Sequence, residues 1–193
     1  MNKSSLLRVL LVPLGVLLPS IAFAHVGISE TSGFMHGLAH PFSGLDHVCA
    51  MLAVGLWAVQ QGGRSVWAVP LTFVGVMALG GAMSGISLPF VEQGIALSVL
   101  LLGVLIAASI RLPLWLGSAL VGLFALWHGH AHGAEMPAQS AGFLYGLGFM
   151  LATASLHGIG IAFGFGMQQL TRERVVQFAG AGIALCGVYL AVA

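Results

Sequence analysis

From residue 42 onward the chain alternates long apolar runs with short polar interruptions. Gly and Pro punctuation cuts it into six stretches, 42–60, 66–83, 92–110, 114–132, 140–167 and 174–192. Each is close to the roughly 20 residues that a helix needs to cross a bilayer. None shows the strict apolar/polar alternation of a barrel strand, so the pattern predicts an all-α integral membrane protein, a bundle of about six transmembrane helices. Ahead of them, residues 1–24 have the parts of a signal peptide: Lys3 and Arg8, the apolar LLVPLGVLLPS, and Ala22-Phe23-Ala24 as a cleavage signal. Cleavage leaves 25–193 as a single six-helix domain starting at His25. An uncleaved signal anchor is the alternative, and both forms place residue 25 outside the cytoplasm.

Composition sharpens this picture. With 59% hydrophobic and 6% charged residues, the chain lies far outside the soluble range. Orientation follows from the arginines, which concentrate in cytoplasmic loops of membrane proteins. With residue 25 outside, Arg64, Arg111, Arg172 and Arg174 all fall inside, whereas Glu30, Glu92 and Glu135 fall outside and Asp46 lies near the outer end of the first helix. Only Glu173 is an acidic residue on the inner side. The 28 glycines allow close helix packing, for example through Gly142-x-x-x-Gly146 and Gly160-x-x-x-Gly164. Cys49 and Cys186 both fall in apolar stretches and read as small packing residues, although spacing leaves a disulfide open. There is no clear inverted repeat, no nucleotide-binding loop and no soluble domain, so ATP hydrolysis has no place in this chain.

Against so few charges, eight histidines are a surplus. Histidine binds metals and moves protons near neutral pH. One cluster is His36, His40, Asp46 and His47; on a continuous helix the three imidazoles would lie within about 40° of one another, but Pro41 suits a first turn and suggests that the helix begins near it. A second is WHGHAHGAEMP at the end of the fourth stretch, where His128 and His132 share a face, Glu135 follows on roughly the same side, and His130 points about 200° away. Because these two helices run in opposite directions, Asp46, His47 and His128 are expected at similar depth. His157, counted inward from residue 140, should lie roughly 25 Å deeper and apart from the outer cluster.

Ionisable groups in hydrocarbon are costly unless paired or hydrated, so a site is the natural reading. Asp46 could be a ligand, an orienting partner for a ligating imidazole, or a proton carrier; alternatively it merely caps a helix N-terminus, where a carboxylate is favourable. His130, and His25 at a new terminus, read more readily as non-ligands, and His36 as a hydrated loop residue. Imidazole with carboxylate suits Ni2+, Co2+, Zn2+ or Cu2+, and the stability order does not choose among them. A Cu(I) route would show more sulfur than Cys49 beside the histidines. A cluster at the outer mouth and a lone deeper histidine fit capture followed by hand-over.

HPFSGLDH followed by AMLAVGLWA, then WHGHAHGAEMP, then GFMLATASLHGIG resemble the three hallmark segments of the HupE/UreJ family of bacterial nickel permeases, over essentially the whole chain. The family's first motif falls on His40, Asp46 and His47, and its second on His128, His132 and Glu135; Trp127 stands where the family commonly has phenylalanine. The resemblance implies a secondary or facilitating permease that takes Ni2+, with Co2+ or Zn2+ possible, across the bacterial inner membrane, with a periplasmic mature N-terminus. It implies no catalytic cofactor, no nucleic acid and no ATPase subunit; its partners are a divalent ion and the lipid bilayer. The candidate metal residues are therefore His40, Asp46, His47, His128, His132, Glu135, His36 and His157.

Two other classes compete. An intramembrane zinc-dependent hydrolase could use the i, i+4 pairs His36/His40 and His128/His132 with Glu135 as base, although nothing marks a substrate pocket. A b-type cytochrome would need two axial histidines facing one haem, and a missing Soret band would dispose of it.

Overall fold

The computed structural model describes residues 30–136 and 142–193. The expected signal peptide, His25 and the start of the fifth stretch lie outside these residues. Among the described residues the secondary structure is all helical: α1 Glu30–Ala39, a 3-10 turn His40–Phe42, α2 Leu45–Gln61, α3 Ser65–Ala82, α4 Val91–Ala107, α5 Leu114–Ala134, α6 Gly142–Gln169 and α7 Glu173–Val192. Helices α2 to α7 reproduce the six expected stretches to within a few residues. By length and apolar character α3, α6 and α7 can cross a membrane alone, and α1 with α2 passes as a fourth, broken span. α4 is shorter at 17 residues, within the range a bilayer accepts, and the 21 residues of α5 include three histidines near its end.

α1 is the element that the hydrophobic pattern does not predict. His36 and His40 do not continue the α2 helix: the chain bends by 79° between Gly33–Phe42 and Leu45–Gln61. Pro41 sits in the first turn of the 3-10 segment, the Ser43 hydroxyl donates to His40 O at 2.6 Å, and Gly44 is extended, so α2 restarts at Leu45. α1 then lies against the N-terminal half of α6, where a side chain at Gly37 would meet the Tyr145 carbonyl and one at Gly148 the Phe34 carbonyl.

Glycines set the other close approaches. At the α2/α6 crossing Gly55 faces the His157 carbonyl and Gly160 faces the Leu52 carbonyl, so the two backbones touch. Gly129 on α5 similarly faces the Met77 carbonyl on α3. Of the expected small-residue ridges on α6, Gly160 and Gly164 pack on α2, but Gly146 meets open space and Gly142 only the Met136 side chain. That first half of α6 contacts α1 through Gly148 instead.

α2 is the buried axis of the molecule, with Met51, Ala53, Val54, Trp57 and Ala58 fully enclosed. Its two ends differ. At one end lie His47 and the histidines of α5; at the other, Gln60, Arg111, Gln168 and Glu173 line a cavity of about 130 Å3. Side-chain amides tie that end together: Gln60 donates to Ile106 O, Gln61 to Ile110 O and Gln177 to the Ser109 hydroxyl.

Candidate metal centre

Helix α5 supplies the largest part of the site. His128 and His132 stand one turn apart with ring centroids at 6.5 Å, and both face His47 on α2, whose ring is 5.4 Å from His128 and 4.5 Å from His132. The 3-10 turn brings His40 to 5.0 Å from His132 between centroids. Glu135, the residue that ends α5, folds back onto the same ring. Phe149 of α6 closes the site from below, 5.0 Å from His47 and 4.8 Å from His132. A cavity of about 480 Å3 between α3, α5 and α6 reaches His132 past Gly133, Met136 and Tyr145.

These side chains form two overlapping donor groups, His40/His132/Glu135 and His47/His128/His132, in each of which one donor atom per residue lies within 4.8 Å of the others. In the first, His40 Nε2 to His132 Nδ1 is 3.0 Å, His40 Nε2 to Glu135 Oε2 is 3.1 Å, and His132 Nδ1 to Glu135 Oε2 is 3.0 Å. Proton counting is informative. An ionised carboxylate only accepts, and a neutral imidazole has one donor nitrogen and one acceptor. If both rings donate to Glu135, two N–H groups face each other; if only one does, two lone pairs do. No arrangement makes all three contacts hydrogen bonds, whereas a cation ~2.1 Å from each atom relieves all three from about 1 Å above their plane.

The second group is buried, and partners fix the tautomers of His128 and His47. The Ser98 hydroxyl donates to Ile95 O at 2.7 Å, so it accepts at 2.9 Å from His128 Nε2–H. Thr153 repeats the device: its hydroxyl points to Met77 Sδ at 3.8 Å and accepts from His47 Nε2–H at 3.4 Å. Both Nδ1 atoms are therefore left as lone pairs. Together with His132 Nε2 they are buried and have no hydrogen-bond partner among the described residues. Each such nitrogen costs on the order of 1–3 kcal/mol. A bound cation offsets that cost, and hydrogen bonds to the far nitrogen are how metal-binding imidazoles are held.

The remaining expected residues lie elsewhere. Asp46 joins neither group; consecutive helical residues are turned by about 100°, so with His47 facing inward Asp46 lines a cavity of about 430 Å3 with Glu92 and Gln93. His36 is exposed on α1, on the far side of the bend. His157 also stays out of both groups, but it is not 25 Å away in depth. His47 already reaches Thr153, four residues or ~6 Å short of it along α6, and Phe73 packs against both His128 (5.7 Å) and His157 (5.3 Å). The site extends inward beside Tyr145 to Thr153 rather than at the level of residue 140. As expected, His130 is turned away and donates Nε2–H to Ile86 O at 2.7 Å.

With this geometry in place, likeness to known proteins becomes meaningful. A family model described as HupE / UreJ protein matches residues 12–190. The chain belongs to the HupE/UreJ family. It is 48% identical over 177 residues to Protein HupE of Rhizobium leguminosarum bv. viciae, spanning 91% of this chain and 92% of that one. No solved structure matches it. Its apolar helices and HupE/UreJ membership make it a multi-pass membrane protein. In this HupE/UreJ chain, Ser98 and Thr153 are the residues that the sequence reading missed. Each is a hydroxyl within an apolar run, Ser98 on its own and Thr153 with Ser155 two residues on, a faint signal that could have singled it out.

Proposed function

We propose that this protein is a secondary or facilitating permease for divalent nickel in the bacterial inner membrane, capturing the ion from the periplasm at the cluster of His40, His47, His128, His132 and Glu135. One observation carries the reading: three buried histidines from two helices of a membrane bundle, each with a ring nitrogen that has no hydrogen-bond partner among the described residues, bring ligand atoms within 4.8 Å of one another. HupE/UreJ membership, associated with nickel or cobalt transport rather than with catalysis, supports the choice of cargo. The donors are of borderline character, so Co2+ and Zn2+ are the expected competitors.

The orientation rests on Arg64, Arg111 and Arg172 in the three turns at the end opposite the cluster, with Arg174 at the start of α7. A periplasmic ion would be drawn to the outer face, where Asp46 and Glu92 line one cavity, and would exchange water for imidazole at His132. Asp46 acts here by charge at the mouth rather than as a ligand. From the cluster the ion would pass Phe73 to His157, whose two ring nitrogens are buried without partners among the described residues, and leave through the amide-lined cavity beside Gln60 and Gln168.

Nickel accumulation in cells tests this. Expression of the native chain should raise accumulation of radioactive Ni2+, excess Co2+ should compete, and Glu135→Gln should remove most of the gain at equal protein level. Purified protein that holds stoichiometric zinc while moving no nickel would instead point to the intramembrane hydrolase.

A further inference from the structure

The two donor groups have one residue in common, His132. A neutral imidazole offers a single lone pair, so His132 can serve only one ion at a time. Filling both groups at once would demand the doubly deprotonated ring and would hold two dications a few ångströms apart, against strong repulsion. We propose, resting on the permease reading above, that the groups are two successive positions of one divalent cation, with His132 the ligand common to both, first through Nδ1 beside Glu135 and then, once its ring proton has moved from Nε2 to Nδ1, through Nε2.

Exposure orders the two positions. The side chain of Glu135 is 56% exposed, that of His40 29% and that of His132 11%, whereas His47 and His128 are completely buried. The donors are ordered in the same sense. The outer position contains a carboxylate, a hard anionic oxygen that accepts a cation still partly hydrated. Inside, the ion meets three neutral imidazoles and no charge to neutralise it, a stripped and electrostatically weaker position from which onward release is possible. Because the two nitrogens of one ring serve the two positions in turn, the ion has only the width of an imidazole to travel between solvent and the buried layer.

Full-length protein purified in detergent and loaded with Co2+ provides the test, with ion content from mass spectrometry and ligand identity from the cobalt optical spectrum and pulsed electron paramagnetic resonance. Native protein should hold one Co2+ per chain. His128→Ala should still hold one, bound by two imidazoles and a carboxylate. Glu135→Ala and His40→Ala, both at the half-open turn where folding is least at stake, should each still hold one, bound by three imidazoles. His132→Ala should lose the ion. Two ions per native chain would overturn the shared ligand. Identical ligand sets in His128→Ala and Glu135→Ala, or loss of the ion from both, would reduce the two positions to one. Native protein that takes up no Co2+ would sink the permease reading itself, a failure distinct from those of the variants.

Discussion

At the scale of single residues, the site depends on protons held away from the metal-facing nitrogens. Ser98 and Thr153 do this for His128 and His47, each by committing its own proton elsewhere, to Ile95 O and Met77 Sδ. Removing such a partner typically weakens metal affinity by ~10–100-fold. Ser98→Ala and Thr153→Val should therefore weaken Ni2+ binding by about that factor in a chelator competition, with Ser98→Thr and Thr153→Ser restoring most of it. Unchanged affinity in both truncations would show that the hydroxyls only fill space. A second expectation concerns pH. A protonated imidazole has no lone pair to give, so affinity should fall once acidification protonates the ligating rings. Metal that stays bound in strong acid would exclude imidazole ligation. Residues of this kind were unevenly legible beforehand. His128, His132 and Glu135 follow from spacing on one helix. Asp46 did not, because its side follows from which way His47 turns, and that is set by packing against α5.

Among the elements, the decisive feature is the α2/α6 crossing, which brings His47 to Thr153 and places His157 beneath Phe73. Gly55 allows it. A side chain there would strike the His157 carbonyl and the Ile161 amide, backbone atoms that cannot step aside. Gly55→Leu should destabilise the protein by ~1–3 kcal/mol or more and weaken metal binding with it. Gly146→Leu on the same α6 helix faces open space and should stay within about 0.5 kcal/mol of native. Thermal unfolding in detergent compares the two directly, and equal destabilisation would remove the special role of the crossing. The six long helices were readable from apolar length alone. α1 was not, since ETSGFMHGLA mixes polar, glycine and apolar positions over only ten residues. Its 79° bend leaves His40 beside His132, 5.0 Å away between ring centroids.

For the whole molecule, polarity is divided between the ends: the histidine cluster with Asp46, Glu92 and Glu135 at one, the arginines with Glu173 and Gln60, Gln61, Gln168 and Gln177 at the other. That division was visible in the sequence as soon as residue 25 was placed outside, and the packing of Gln60, Gln61 and Gln177 at the arginine end gives it a structural counterpart. A direct check uses exposed positions in the turns, Ser87 between α3 and α4 and Thr171 between α6 and α7, in a background with Cys49 and Cys186 replaced. A membrane-impermeant maleimide should label Ser87→Cys in intact spheroplasts and Thr171→Cys only after lysis; the opposite pattern would invert the topology. The replacement is needed because Cys49 and Cys186 face each other across α2 and α7 with Sγ atoms 3.5 Å apart.

The most direct measurement is uptake of radioactive nickel into proteoliposomes by the native protein and by His132→Ala, with folding of both verified by thermal unfolding. Native protein should carry Ni2+ down its concentration gradient without ATP, and the folded variant should fall to the level of empty liposomes. Equal uptake by a folded His132→Ala, or none by the native protein, would contradict a nickel permease built around this cluster.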